Sequence, residues 1–153
     1  MKYVLDASVA LKWVLNEQDI ARSRLLREEF ESFGVELIAP DLFYTEIAHA
    51  LSKGYRGDRL TKEEAEAYMD DLLTSPPELV PCKLLLPRAF GITMVTRTGV
   101  YDALYMALAE MEDVPVVTAD KRMAKIPEKD RPCGIIVIED LPPPPSDPRR
   151  SAK

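Results

Sequence analysis

Residues 3–15, YVLDASVALKWVL, carry the reading that decides the fold. An apolar run, Tyr3 to Leu5, stops at Asp6, and Ser8 to Asn16 continue with apolar spacing that suits a short helix. A strand that feeds straight into a helix is the first half of a βα unit, so parallel partner strands are expected farther along the chain. Asp6 stands at the carboxyl end of this strand, the edge outside which open parallel α/β sheets bind their ligands.

Working outward, residues 18–33 set Ile20, Leu25, Leu26, Phe30 and Phe33 among charges, which predicts an amphipathic helix with Gly34 as its left-handed terminus. ELIA before Pro40 reads as a strand, and Asp41 is expected to open a helix that runs to about Lys53 and ends at Gly54. Thr61 and Glu64 form a T-x-x-E capping box ahead of Ala65, Tyr68, Met69, Leu72 and Leu73, until Pro76 and Pro77 stop the helix. ELVP is a third strand candidate. Lys83 to Thr96 is helical in pattern although it contains Pro87 and Gly91. Leu104, Ala107, Leu108 and Met111 share one face of a helix near Asp102, and VVT and GIIVI complete the strands. The alternation predicts a three-layer α/β/α architecture with a central, mainly parallel sheet. Residues 1–140 are expected to form one domain, and the proline-rich stretch 141–153 an extended, disordered tail.

The chain has 153 residues, 46% of them hydrophobic, enough for one core without disulfides or a structural metal. Asp6 interrupts the N-terminal apolar run before it reaches signal-peptide length, and no apolar stretch approaches the roughly 18 residues of a membrane span. A soluble, cytoplasmic protein is the expectation. Cys82 and Cys133 lack zinc or redox spacing and are expected to be free. A net charge of −6 argues against binding nucleic acid by broad phosphate neutralisation. It leaves room for a nuclease, whose catalytic carboxylates are themselves negative and whose basic residues, among them Arg22, Arg24, Arg27, Arg56, Arg59, Arg88, Arg97, Lys121 and Arg122, can form a local rim.

Four acids recur at informative places: Asp6 ending YVLD, Glu46 in FYTEIAHAL, Asp102 in YDALYMALAE and Asp120 ending VVTAD. Each has an ordinary explanation. Asp6, Asp102 and Asp120 fit helix N-termini, where the local dipole favours an acid, and Glu46, at the edge of the stripe of Leu42, Phe43, Ile47, Ala50 and Leu51, fits a buried ion pair. One hard-oxygen cation site accounts for all four together, since clustered carboxylates repel one another without a cation and suit Mg²⁺ or Mn²⁺. Ser8 and Thr118, each two residues from an acid, are candidates to hydrogen-bond the carboxylates, or simply to stabilise turns. Glu46-x-x-His49 is half of a di-iron helix motif, but the chain has a single histidine, which excludes that architecture and leaves His49 as a partly buried packing residue. Trp13, Tyr44, Tyr101 and Tyr105 are expected in the core or on the cleft rim, where an aromatic ring can stack on a base.

VLDAS near the start, P-x-L-x-x-x-E mid-chain, YDALYMALAE and VVTADKRM together resemble the PIN-domain family, in particular its VapC-type toxins. The resemblance spans Tyr3 to about Ile138. It implies a PIN-like fold and metal-dependent cleavage of RNA by acids at the four motif positions, here Asp6, Glu46, Asp102 and Asp120, with Mg²⁺ or Mn²⁺ as cofactor. It also implies a homodimer and, for the toxins, a small VapB-like antitoxin whose C-terminal segment covers the site. Alternatives are an RNA-processing or turnover nuclease without an antitoxin, and a catalytically silent acidic module that binds a basic peptide. A phosphoryl acceptor using Asp6 fits poorly, because Ala7 and Ser8 follow where a second aspartate is needed. With no histidine, cysteine or serine triad assembled, activation of water falls to the cation. Neutralising one of four crowded acids should then stabilise the metal-free protein.

Overall fold

The computed structural model describes residues 1–15 and 21–142. Five strands, β1 (Lys2–Leu5), β2 (Glu36–Pro40), β3 (Glu78–Val80), β4 (Val116–Thr118) and β5 (Ile135–Val137), form one sheet in the order β3-β2-β1-β4-β5, with every neighbouring pair parallel. The helices are α1 (Ala7–Val14), α2 (Ala21–Glu31), α3 (Phe43–Arg56), α4 (Lys62–Leu73), α5 (Cys82–Thr96), α6 (Val100–Glu112) and the short α7 (Lys121–Ala124). From β1 the chain steps outward to β2 and β3, then crosses back to β4 and β5. Right-handed crossovers therefore put α1 to α4 on one face and α5 and α6 on the other, giving the three-layer α/β/α fold expected from the sequence. The packing agrees: α1 meets α2, α3 and α4, whereas α5 lies on α6, which lies on β1, β2 and β4.

The direction of winding reverses between β1 and β4, and at such a switch point the following helices diverge to leave a crevice at the carboxyl edge. Val4 pairs in register with Val116 and Leu5 with Val117, so Asp6 and Thr118 emerge side by side there. Val4, Leu5, Val116 and Val117 are wholly buried, which anchors the two strand ends that carry the crevice.

Residues 103–109 of α6 are buried without a break, whereas Met111 is 56% exposed. The one-sided pattern expected for this helix is therefore incomplete: packed between the sheet and α5, α6 is covered nearly all round. The Thr61 capping box forms in full, with Glu64 N donating to Thr61 Oγ1 at 3.1 Å and Thr61 N to Glu64 Oε1 at 3.2 Å. α5 runs through Pro87 and Gly91 uninterrupted, with Pro87 on its exposed side.

Three local expectations need correction. Gly54 does not end α3, which continues to Arg56. A side chain at 54 would come within 2.8 Å of Leu60 Cδ1, so the glycine serves the close return of the chain toward α4. Asp41 does not open α3 either; its Oδ1 accepts the backbone N–H of Cys82 at 2.9 Å and caps the start of α5 instead. After α2 the left-handed residue is Phe33, with φ 61°, rather than Gly34. Gly34 donates its backbone N–H to the Glu29 carbonyl at 2.8 Å and so closes the end of α2 without itself being left-handed. The part of the predicted helix at 18–20, and residues 143–153 of the predicted tail, lie outside the described residues. Cys82 and Cys133 are free. Among the described residues no helix is long and apolar enough to cross a membrane.

Candidate active site

Asp6, Glu46, Asp102 and Asp120 all line a single cleft of about 590 Å³ at the carboxyl edge of the sheet, with Ser8, Thr45, His49, Tyr101 and Arg122 among their neighbours. The supports are separate. Asp6 follows β1, Glu46 lies in the first turn of α3, Asp102 in the first turn of α6, and Asp120 caps α7 just beyond β4.

Asp6 is the deepest of the four, 6% exposed. Its Oδ2 accepts from Thr118 Oγ1 at 2.6 Å and from Ser8 Oγ at 2.7 Å. Those hydroxyls accept in turn from Asp120 N at 2.9 Å and Ala119 N at 3.0 Å. Ser8 and Thr118 thus do more than stabilise local turns: they tie the segment after β4 to the acid after β1. Burial drives the Asp6 carboxyl pKa up, against the two hydroxyl donors that favour its charged form.

Glu46 Oε1 accepts from Tyr105 Oη at 2.7 Å. Tyr105 is completely buried in α6, and burial pushes its hydroxyl pKa up so far that it serves only as a neutral donor. This contact in the candidate site was not expected from the sequence, because at Asp102-x-x-Tyr105 an aromatic residue on an apolar helix reads as core. Burial pushes Glu46 up to about 7, opposed by the Tyr105 bond and reinforced by Asp6 and Asp102. Asp102 is likewise raised, first by burial and then by Asp6 and Asp120.

Asp120 differs. Its Oδ1 accepts the backbone N–H of Arg122 at 2.9 Å, the capping role weighed for it from the sequence. The Arg122 guanidinium also grips it, with Nε 3.1 Å from Oδ1 and Nη2 2.8 Å from Oδ2, and this grip holds the Asp120 pKa below the ordinary carboxylate range. Among the described residues it is the only one of the four acids with a cationic ion-pair partner. The buried ion pair weighed for Glu46 is therefore not found among the described residues.

His49 is exposed on the cleft wall rather than partly buried, and Tyr101, 63% exposed, stands on the rim. Trp13 belongs to the core, beneath Arg27 at 5.4 Å, and the half-buried Tyr44 packs against that core and donates its hydroxyl to the Leu72 carbonyl at 3.2 Å. Of the basic residues singled out in the sequence, Arg27 and Arg88 are engaged in structural pairs with Asp71 and Glu110, and Arg122 alone lines the cleft.

Among the described residues no three acids, histidines or cysteines are gathered closely enough to hold a metal as they stand. The donor chemistry nevertheless fits a hard divalent cation: all four are carboxylates, and the three inner ones carry charge that burial and mutual repulsion oppose and that no ion-paired base among the described residues offsets.

The PIN domain matches residues 3–129. Ribonuclease VapC1 of Mycobacterium tuberculosis is 38% identical over 103 residues, 65% of this chain and 73% of its own length. Ribonuclease VapC12 of that species is 32% identical over 123 residues, 80% and 89% of the two chains. Ribonuclease VapC3 of Pyrobaculum aerophilum is 30% identical over 128 residues, 82% and 94%. Among solved structures, PAE2754 from Pyrobaculum aerophilum superposes with a TM-score of 0.62 at 21% identity, covering 90% of this chain and 84% of that one. VapBC2 from Rickettsia felis, solved bound to a DNA fragment from its promoter, gives a TM-score of 0.59 at 16% identity, covering 88% and 97%. The match runs through every element that brings an acid into the cleft, and the chain belongs to the PIN-domain family.

Proposed function

We propose that this protein is a Mg²⁺- or Mn²⁺-dependent endoribonuclease that hydrolyses RNA phosphodiester bonds, and that it acts as the toxin of a type II toxin-antitoxin pair. The observation that carries the reading is the convergence of four carboxylates from four separate elements on one open cleft, three of them without a cationic ion-pair partner among the described residues. Asp6 and Asp102 would hold the cation directly, with Glu46 and Asp120 binding directly or through water. When bound, the cation supplies Lewis-acid activation of a water and stabilises charge on the leaving oxygen. Ser8 and Thr118 orient Asp6 by donating to one of its oxygens, and Tyr105 does the same for Glu46. The deep position of Asp6 keeps that carboxylate out of bulk water, so its charge acts more strongly on its surroundings than it would in solvent.

The toxin assignment rests on the ribonuclease names of the relatives and on the toxin-antitoxin complexes among the structural neighbours. In this reading the protein works in the cytoplasm, residues 1–140 are the nuclease domain and 141–153 a tail. The antitoxin presents a basic segment, because an arginine fork complements paired carboxylate oxygens. A homodimer is also expected. The apolar residues of the helices at 18–33 and 61–74 are one source for its interface, but α5 has the stronger claim: Leu84, Leu86, Phe90 and Met94 are each between 49% and 69% exposed on it.

Purified protein incubated with RNA tests the reading. Cleavage should require Mg²⁺ or Mn²⁺ and stop in chelator. Co-expression with a short neighbouring reading frame, followed by size-exclusion chromatography with light scattering, should yield a complex with suppressed nuclease activity. A metal-dependent nuclease that gains no partner would be a housekeeping enzyme, and a protein with neither cleavage nor ion-specific stabilisation would be a silent module.

A further inference from the structure

Arg122 is placed where a structural arginine has little to do. The N-cap bond to Asp120 comes from its backbone N–H, so α7 starts properly whatever the side chain is. That side chain is 86% exposed, yet folds back onto Asp120 in the lining of the cleft, and its charge offsets part of the rise that burial and the neighbouring acids impose on Asp102. Among the described residues lining the cleft it is the only lysine or arginine. A strand of RNA drawn into this acidic crevice must bring phosphates past it, and an arginine fork fits phosphate oxygens as well as carboxylate oxygens.

We propose that Arg122 is an exchange ligand: without metal its guanidinium occupies Asp120, and when a divalent cation takes that carboxylate the side chain is released onto a backbone phosphate of the bound RNA. The ion pair with Asp120 is exposed, and pairs of that kind are weak and exchange readily. Arg122 therefore excludes metal from the empty site while metal and substrate favour each other's binding. Any ligand that draws Arg122 away from Asp120 opens a metal position, and by linkage metal at Asp120 makes the arginine available to phosphate. This deepens the nuclease reading and rests on it.

Arg122→Gln and Arg122→Lys test the exchange with two independent readouts. The first is half-saturation of the thermal shift produced by Mn²⁺ alone, with no RNA present. The second is KM and kcat for cleavage of a single-stranded RNA in saturating Mn²⁺. Arg122→Gln should bind Mn²⁺ more tightly than wild type yet show a KM raised roughly tenfold, the scale of removing one charge-assisted hydrogen bond to the substrate, with a smaller fall in kcat. Arg122→Lys, which keeps the charge without the fork, should fall between the two on both readouts. Tighter Mn²⁺ binding with unchanged KM overturns the proposal, as does a raised KM with unchanged Mn²⁺ binding, because exchange requires opposite movements in one variant. If wild type shows neither a Mn²⁺ shift nor cleavage, the nuclease reading itself fails; if wild type shows both and Arg122→Gln matches it, only the exchange fails.

Discussion

Asp6, Glu46 and Asp102 on the inner wall of the cleft have pKa values raised by burial, whereas Asp120 at the mouth has one lowered by Arg122. The four are the same kind of group in one crevice, set apart by where their countercharge comes from. The mouth has a cation built into the chain. The inner wall has none among the described residues and gains most from one supplied by solvent.

The largest effect expected from this contrast is on rate. Asp6→Asn and Asp102→Asn should each lower RNA cleavage by about a hundredfold or more, the scale on which electrostatic stabilisation of a transition state acts. Asp120→Asn should lose less, and an equal loss measured in the same assay would show that the two halves work as one unit.

Stability of the metal-free protein comes next. Glu46 is raised from 4.5 to about 7, so the folded state binds more protons than the unfolded state across that window. The linkage sign is then negative: stability is highest below the unfolded value and falls as pH rises through the window. Asp6 and Asp102 act in the same direction. Thermal melts in chelator should therefore fall from about pH 5 to about pH 8, and Glu46→Gln should flatten the slope. A wild-type melting temperature that rises over this range would contradict the assignment of Glu46.

A smaller effect separates the two halves directly. In chelator near neutral pH, Asp102→Asn should melt at or above wild type because it relieves repulsion on the inner wall. Asp120→Asn should melt at or below wild type, because it gives up the Arg122 fork. The expectation that neutralising any of the four would stabilise is thus narrowed to the inner three. The smallest effect is that of Tyr105→Phe, which removes one donor from Glu46 without opening a cavity. It should weaken the Mn²⁺-dependent thermal shift by less than about tenfold, and no change at all would make Tyr105 a core residue only.

The elements were legible where periodicity and punctuation agreed. YVLD before a helix, the Thr61-x-x-Glu64 box and VVTAD each have one dominant physical reading, and the structure follows them. Errors arose where one residue type serves two purposes. Gly54 provides room for a close approach rather than a chain terminus, the left-handed position after α2 falls on Phe33 rather than Gly34, and Asp41 caps a helix 41 residues farther on, a partner that no local pattern reveals. In the cleft the acids were visible because three-dimensional coincidence explained four exceptions at once. Their distinct electrostatics were not visible, since the burial of Glu46, the hydroxyl reaching it from Tyr105 and the reach of Arg122 all depend on tertiary packing.

The hydroxyl pair under Asp6 has a consequence for watching this protein in solution. The amide protons of Ala119 and Asp120 end on Ser8 and Thr118, whose own protons end on Asp6. A change in the charge at Asp6 changes the strength of both hydroxyl bonds and, through them, the polarisation of the acceptors that these two amides see. Their resonances then act as a gauge of the cleft's occupancy, readable in the intact chain without substrate, dye or turnover.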